Sequence, residues 1–424
     1  MEPKPSADPI DRLFRGESGR LTAVLTRLFG VHNLALVEDV VQDAFCRALQ
    51  VWKFRGMPEN PSAWLMTTAK NRALDVLRRE RTARTFAPEL TRLLESEWTL
   101  VSALEEQFRP DAVDEDLLRM MFTCCHPGLR EEAQVTLILH ILCGFSVHEV
   151  AGAFVATHAA IEKRITRSKK TLAASQDLFD VTRREEFAAR LPAVQRALYL
   201  LFNEGYHGAS PESAVRAELC GEAMRLARHL REDPRGATPA TYALSALFCL
   251  HAARLPGRID AGGELHSLLD QDRSRWDQSL IAEGQRLLDR SASGEELSEY
   301  HVEAAIAWIH ASASSVEETD WSRIVALYDM RMQLHPSPVI ALNRAIALAQ
   351  HAGPEAGLQA IRQIAGLERL AGYPFYPAAQ AELELKLGRA DAARAHFQTA
   401  LSLARNATER RFLQQRMEAC ASES

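Results

Sequence analysis

The sequence predicts an all-α protein, and three observations carry that prediction. Apolar residues recur at helical spacing along most of the chain, as in Pro61 to Arg84, where Leu65, Ala69, Ala73 and Val76 form one stripe. Many such segments open on Pro, Asp or Ser and close near Gly, the punctuation of helix ends. In the C-terminal part, pairs of these segments recur at about a 34-residue period, with Ala341, Ala345, Ala349, Ala379, Ala393 and Ala400 where helices would approach closely.

At 424 residues the chain has room for several domains with proper cores. Its net charge of −6 conceals a segregation: residues 1–172 hold 23 basic and 23 acidic residues, whereas residues 173–424 hold 27 and 33. The basic residues of the first part are clustered, so attraction for phosphate is confined to patches on an otherwise acidic body. Seven cysteines without small-domain spacing predict free thiols in a reducing compartment. Cys124, Cys125, His126, His140 and Cys143 crowd together but lack the spacing of paired zinc ligands, so neither metal nor cofactor is expected. No apolar signal core opens the chain and no uncharged run reaches the roughly eighteen residues of a membrane span, which predicts a cytoplasmic protein without membrane contact. No nucleophile motif or phosphate loop stands out. An enzyme, a helical hydrolase using His207 or Cys249, is therefore not expected.

In chain order, residues 1–9 have the polar, proline-bearing composition of a disordered tail. Helical spacing runs from Ile10 to a break at Gly30. A second helix spans Leu34 to Trp52, with Val37, Val41, Phe45 and Leu49 as its expected buried stripe and Glu38, Asp39, Gln42 and Asp43 as an acidic ridge. A turn-rich loop, Gly56 to Pro61, leads to the helix of Pro61 to Arg84, for which Ser62 reads as the N-cap. From Lys70 to Arg84 there are six basic residues against two acids. Thr67, Lys70, Asn71 and Arg78 face away from the apolar stripe. Asp75 reads as a structural partner of a neighbouring Arg.

The order Glu38-Asp39-Val-Val-Gln42-Asp43-Ala-Phe45, a Pro-rich loop, Trp64-Leu65, then Lys70-Asn71-Arg72 through Asp75 to Arg78-Arg79 resembles region 2 of bacterial sigma factors of the extracytoplasmic-function type. That resemblance implies that Glu38, Asp39, Gln42 and Asp43 bind core RNA polymerase. It also implies that the Trp-bearing helix and its loop recognise and open the minus-10 promoter element. The chemistry agrees: an aromatic such as Trp64 can stack on an unstacked base, Asn60 and Asn71 can bond a base edge, and Thr67, Lys70, Arg72, Arg78 and Arg79 complete a DNA-facing set.

The pattern weakens over residues 85–111, a linker that could extend about 100 Å. Promoter elements about 17–20 base pairs apart lie roughly 60–70 Å from each other, within its reach. Residues 112–175 form a second helical unit: a helix over Glu131 to Leu142, a short helix after Ser146 with Glu149 in a capping box, a turn at Ala156-Thr157-His158, and a helix from Ala159 to Leu172 with five cations against Glu162. This is a helix-turn-helix pattern, and it resembles sigma region 4, which reads the minus-35 element. By that resemblance His158, Lys163, Arg164, Arg167 and Lys170 lie nearest DNA.

Residues 176–424 read as helices almost throughout and resemble the tetratricopeptide-like extension of one sigma subgroup. Asn203-Glu204-Gly205-Tyr206 and Glu409 to Leu413 look like its recurring motifs. Read from the residues alone, the first of these could equally be a helix end closed by Gly205. The sequence thus points to an alternative sigma factor whose partners are core polymerase and promoter DNA, with further intramolecular or partner-protein contacts through the extension. The rival is a non-sigma tetratricopeptide regulator with a helix-turn-helix.

Overall fold

The computed structural model describes residues 9–79, 108–154, 156–174, 184–207, 215–260 and 264–422. The expected N-terminal tail up to residue 8 and most of the expected linker lie outside the described residues, as do the side chains of Arg78 and Arg79. Nineteen α-helices occur among the described residues, with no strand beyond an isolated bridge between Ile259 and Leu265. Two compact units emerge: Met1–Ala151 with Ala156–Leu200, and Gly152–Val155 with Leu201–Ser424.

The first unit starts from α1 (Pro9–Phe29), α2 (Leu34–Arg55) and α3 (Pro61–Arg79). Their apolar stripes close on one core containing Leu21, Leu25, Val37, Val41, Leu65 and Ala69. Aromatic rings lock the three together: Phe14 stacks on Phe45 at 4.4 Å, and Trp64 sets an edge on Trp52 at 5.4 Å. Leu49 does not join the stripe expected of it and is 51% exposed; Val40, Ala44, Ala48 and Trp52 are buried instead. Residues four apart drift by about 40° per step on a helix of 3.6 residues per turn, so the fourth member of a strict four-spaced series leaves the buried face. The cap of α3 also differs from expectation. Ala63 N–H donates to Asn60 Oδ1 at 3.0 Å, which makes Asn60 the N-cap and places Ser62 inside the first turn.

The opposite side of α1 packs on α4 (Pro110–Cys124) and on a π-helical turn, Ile138–Leu142, that continues α5 (Glu131–Leu137). Gly19 allows this approach, because a Cβ there would collide with the Leu142 carbonyl. The expected helix over Glu131 to Leu142 therefore ends in a π turn. Then come α6 (Val147–Ala153), α7 (His158–Ala173) and α8 (Arg184–His207). The expected capping box at Ser146 and Glu149 forms, with Ser146 N–H donating to Glu149 Oε2 at 2.9 Å. In α8, Arg190 donates to the Phe122 carbonyl while Phe187 packs on Phe122 at 4.2 Å.

The second unit contains α9 (Ala217–Glu232), α10 (Pro239–Ala252), α11 (Leu255–Arg258), α12 (Gln278–Ser291), α13 (Glu299–Ser312), α14 (Trp321–Leu334), α15 (Pro338–Ala352), α16 (Pro354–Arg362), α17 (Phe375–Lys386), α18 (Ala390–Ser402) and α19 (Ala407–Ser422). α10 is apolar on every side and accordingly buried on nearly every side, against α9, α12 and α13. From α12 onward each helix packs on its neighbour in the chain. Gly205 is no helix end. It lies within α8, where a Cβ would sit 2.8 Å from the Arg216 carbonyl oxygen and the Cys220 nitrogen.

Candidate functional site

On α2, Asp39, Gln42 and Asp43 are exposed and Glu38 is half-buried, as expected of a ridge on the face opposite the core. Glu38 is occupied. Lys169 of α7 donates to its Oε1, and His140 Nε2 lies 3.4 Å from the same oxygen. Burial pushes the Glu38 carboxyl up, but hydrogen bonds and charge from His140 and Lys169 outweigh it and hold the group below its ordinary range. His140 is itself fixed by Nδ1 against the Phe145 carbonyl at 2.9 Å.

The predicted DNA-facing residues of α3 divide. Thr67 and Asn71 are exposed and Lys70 is half-buried; Asn60, Thr67 and Lys70 line a cleft of about 430 Å³ together with Glu17, Arg20 and Met66. Thr67 returns its hydroxyl proton to the Ala63 carbonyl at 2.8 Å, leaving its oxygen lone pairs toward solvent. Asn60 commits its carboxamide oxygen to the helix cap. Trp64 is half-buried against Trp52, so part of its ring belongs to the core. Arg72 Nε donates to Asp43 Oδ2 at 2.7 Å, joining two residues that the sequence assigned to different surfaces. Asp75 is exposed with no Arg partner among the described residues, against the expectation of an ion pair.

Around α7, Thr157 caps the helix by accepting from Ala160 N–H at 3.2 Å, which moves the start back to His158 from the expected Ala159. Lys163, Arg167 and Lys170 are exposed at spacings of four and three, so they share one face. His158 is exposed too, with Nδ1 3.9 Å from Glu162. Arg164 turns inward: its guanidinium reaches Glu132 at 3.3 Å and Thr136 Oγ1 at 3.3 Å on α5. Three ion pairs among the described residues bind α1 to this half of the unit: Arg15 with Glu149, Arg20 with Asp114 at 3.5 Å and Arg27 with Asp116 at 3.1 Å.

Residues 13–83, the three-helix core and the ridge upon it, match sigma-70 region 2. The chain therefore carries a sigma-70 region 2. An uncharacterized protein of Rhizobium meliloti (strain 1021) is 38% identical to this chain over 409 residues, 96% of this chain and 95% of the relative. Residues 190–292 match a family of unknown function, DUF6596. No solved structure matches. Among the described residues no helix is long and apolar enough to cross a membrane, and no group of three or more His, Cys, Asp or Glu is arranged to hold a metal ion. Burial drives the Cys125 and Cys249 thiols up to about 12, which disfavours the thiolate that a metal or a nucleophilic role requires.

The motif Asn203 to Tyr206 proves to be part of a larger arrangement that sequence reasoning missed. Tyr206 is buried, with Arg258 over its ring at 4.5 Å and His251 at 5.0 Å from it. The residues involved come from helices far apart in the chain, so no local spacing revealed them.

Proposed function

We propose that this protein is an alternative sigma factor of the extracytoplasmic-function type, working in the cytoplasm. It binds core RNA polymerase through Asp39, Gln42 and Asp43 with Glu38, and it opens the minus-10 element with the α3 face of Asn60, Trp64, Thr67, Lys70, Asn71 and Arg72. The observation that carries this reading is the region 2 match on a three-helix core with Asp39, Gln42 and Asp43 exposed on α2 and Lys70 lining a cleft. Arg78 and Arg79, at the end of α3, extend the phosphate-binding charge. The α6 and α7 pair serves as a region 4 helix-turn-helix reading the minus-35 element, with Lys163, Arg167 and Lys170 toward DNA, His158 at the helix start, and Arg164 bracing α7 against α5.

Residues 85–111 act as the linker between the two DNA-reading halves, and the C-terminal helices act as a tetratricopeptide-like extension that regulates activity. Helices that pack on their chain neighbours from α12 onward support that description. In the closed arrangement Lys169 and His140 hold Glu38, so polymerase binding at that carboxylate competes with the α7 contact.

Affinity purification of the chain from cells, with and without Asp39→Ala and Asp43→Ala, tests the reading. Core subunits should accompany the unaltered chain and be depleted with the double variant. Retention by both, or by neither, contradicts the assigned surface.

A further inference from the structure

A cluster in the second unit gathers cationic and aromatic side chains around a buried arginine. Arg254, just past the C-terminal end of α10, is 5% exposed and stands over Trp276 at 5.6 Å, and its buried Nε has no hydrogen-bond partner among the described residues. Arg258 lies one turn on, donating from Nη2 toward His207 Nδ1 at 3.1 Å and lying over the Tyr206 ring. His251, with Nδ1 unpartnered, sits against Tyr206, and the Tyr206 hydroxyl is unpartnered too. His207, at the end of α8, is exposed.

A buried guanidinium without a counter-charge carries a large desolvation cost, which native proteins ordinarily meet by pairing. Two carboxylates of the second unit are paired with other arginines: Glu409 with Arg405 at 2.5 Å and Glu303 with Arg331 at 2.9 Å. Arg405, Arg254, Arg258 and His310 all bear on the histidines from neighbouring helices, while Tyr328 and Tyr373 supply neutral walls. Desolvation first, then these cations, keep His207 and His251 well below their ordinary range, so the imidazoles are neutral at pH 7 and free to take up protons when negative charge arrives.

We propose that this cluster of Arg254, Arg258, His207, His251 and Tyr206 is a binding site for a small dianionic ligand bearing a phosphate group or paired carboxylates. Two guanidiniums offer the planar forks that fit such oxyanions, the tyrosines offer hydroxyl donors, and the two imidazoles become donors by protonation. Three of the five residues lie on α8 and α10 and the other two at the start and end of α11, and all five fall within the stretch that matches the family of unknown function. Site and family region therefore coincide.

Calorimetric titration of the full chain at pH 7 with inorganic phosphate, and separately with malonate, tests the site in two buffers of different ionisation enthalpy. Saturable binding of at least one probe with net proton uptake is expected, and the better probe distinguishes the two ligand chemistries. Arg258→Gln should weaken binding at least tenfold, and His207→Gln should reduce the proton uptake. Arg254→Met is the stronger lesion but lies in the core, so the two solvent-reachable positions carry the test. No saturable binding of either probe, or binding unchanged in Arg258→Gln, overturns the proposal.

Discussion

Lys169 of α7 donates to Glu38 of α2, so a cation of the proposed helix-turn-helix holds a carboxylate of the proposed polymerase ridge. The two residues are 131 positions apart, and His140 joins them on the same oxygen. With side chains 21% and 35% exposed, the pair is worth on the order of 1 kcal/mol after solvent screening. Lys169→Gln is therefore expected to tighten binding to core polymerase by a few fold, measured by fluorescence anisotropy of labelled chain. Unchanged or weaker binding would remove the competition from the account. Because the Glu38 carboxyl is held low, its contribution is present above the ordinary carboxylate range and is lost as pH falls through its depressed value.

Asp116 has the opposite sign. It is fully buried, and burial raises its carboxyl to about 6 despite Arg27 and Arg119. A raised folded-state value means that its contribution is fully present below about pH 4 and is lost as pH rises through about 6. Asp116→Asn should flatten the pH dependence of stability across that window, by an amount on the order of 3 kcal/mol at most. Urea unfolding at pH 4.5 and pH 7 checks this; an unaltered slope with pH would contradict it.

Replacing Lys163, Arg167 and Lys170 together should weaken promoter binding and lower the logarithmic salt slope by about 0.9 for every phosphate that is no longer neutralised. Arg164→Gln should act differently, loosening the packing of α5 on α7 made through Glu132 and Thr136 and lowering stability by about 1 kcal/mol. Salt-dependent binding titrations beside thermal unfolding separate the two effects. A salt slope that survives the triple change would take that face off the DNA.

Gly205→Ala places a methyl group 2.8 Å from backbone atoms of Arg216 and Cys220, and the Arg216 N–H donates to the Gly205 carbonyl at 2.7 Å, so the neighbouring chain has little room to move. A loss of roughly 1–3 kcal/mol is expected from such overpacking. Chemical denaturation measures it, and a neutral result would show that α9 can shift.

Much of the architecture was legible because the signals are local. Asp320 starts the helix Trp321–Leu334 by accepting from Arg323 N–H at 3.0 Å, and Ser146 and Glu149 form the box their spacing requires. Leu49 was misplaced by a strict four-residue step, and Asn60 rather than Ser62 caps α3 because the helix begins earlier than a serine cap requires. The helix Ala407–Ser422 has no marked start in the sequence. Its Glu409 folds back on Arg405 in a local ion pair, with no Pro or Gly to mark the boundary. Neither the grip of Lys169 on Glu38 nor the cluster around Arg254 could be read, because each depends on residues brought together from distant helices.

Reconstituted run-off transcription with purified core polymerase tests the central claim most directly. Added to core on a genomic promoter library, this chain should yield discrete transcripts that core alone does not make, and Lys70→Ala with Asn71→Ala should abolish them while leaving core binding intact. No chain-dependent transcript from any promoter, with the chain failing to associate with core, would contradict the account.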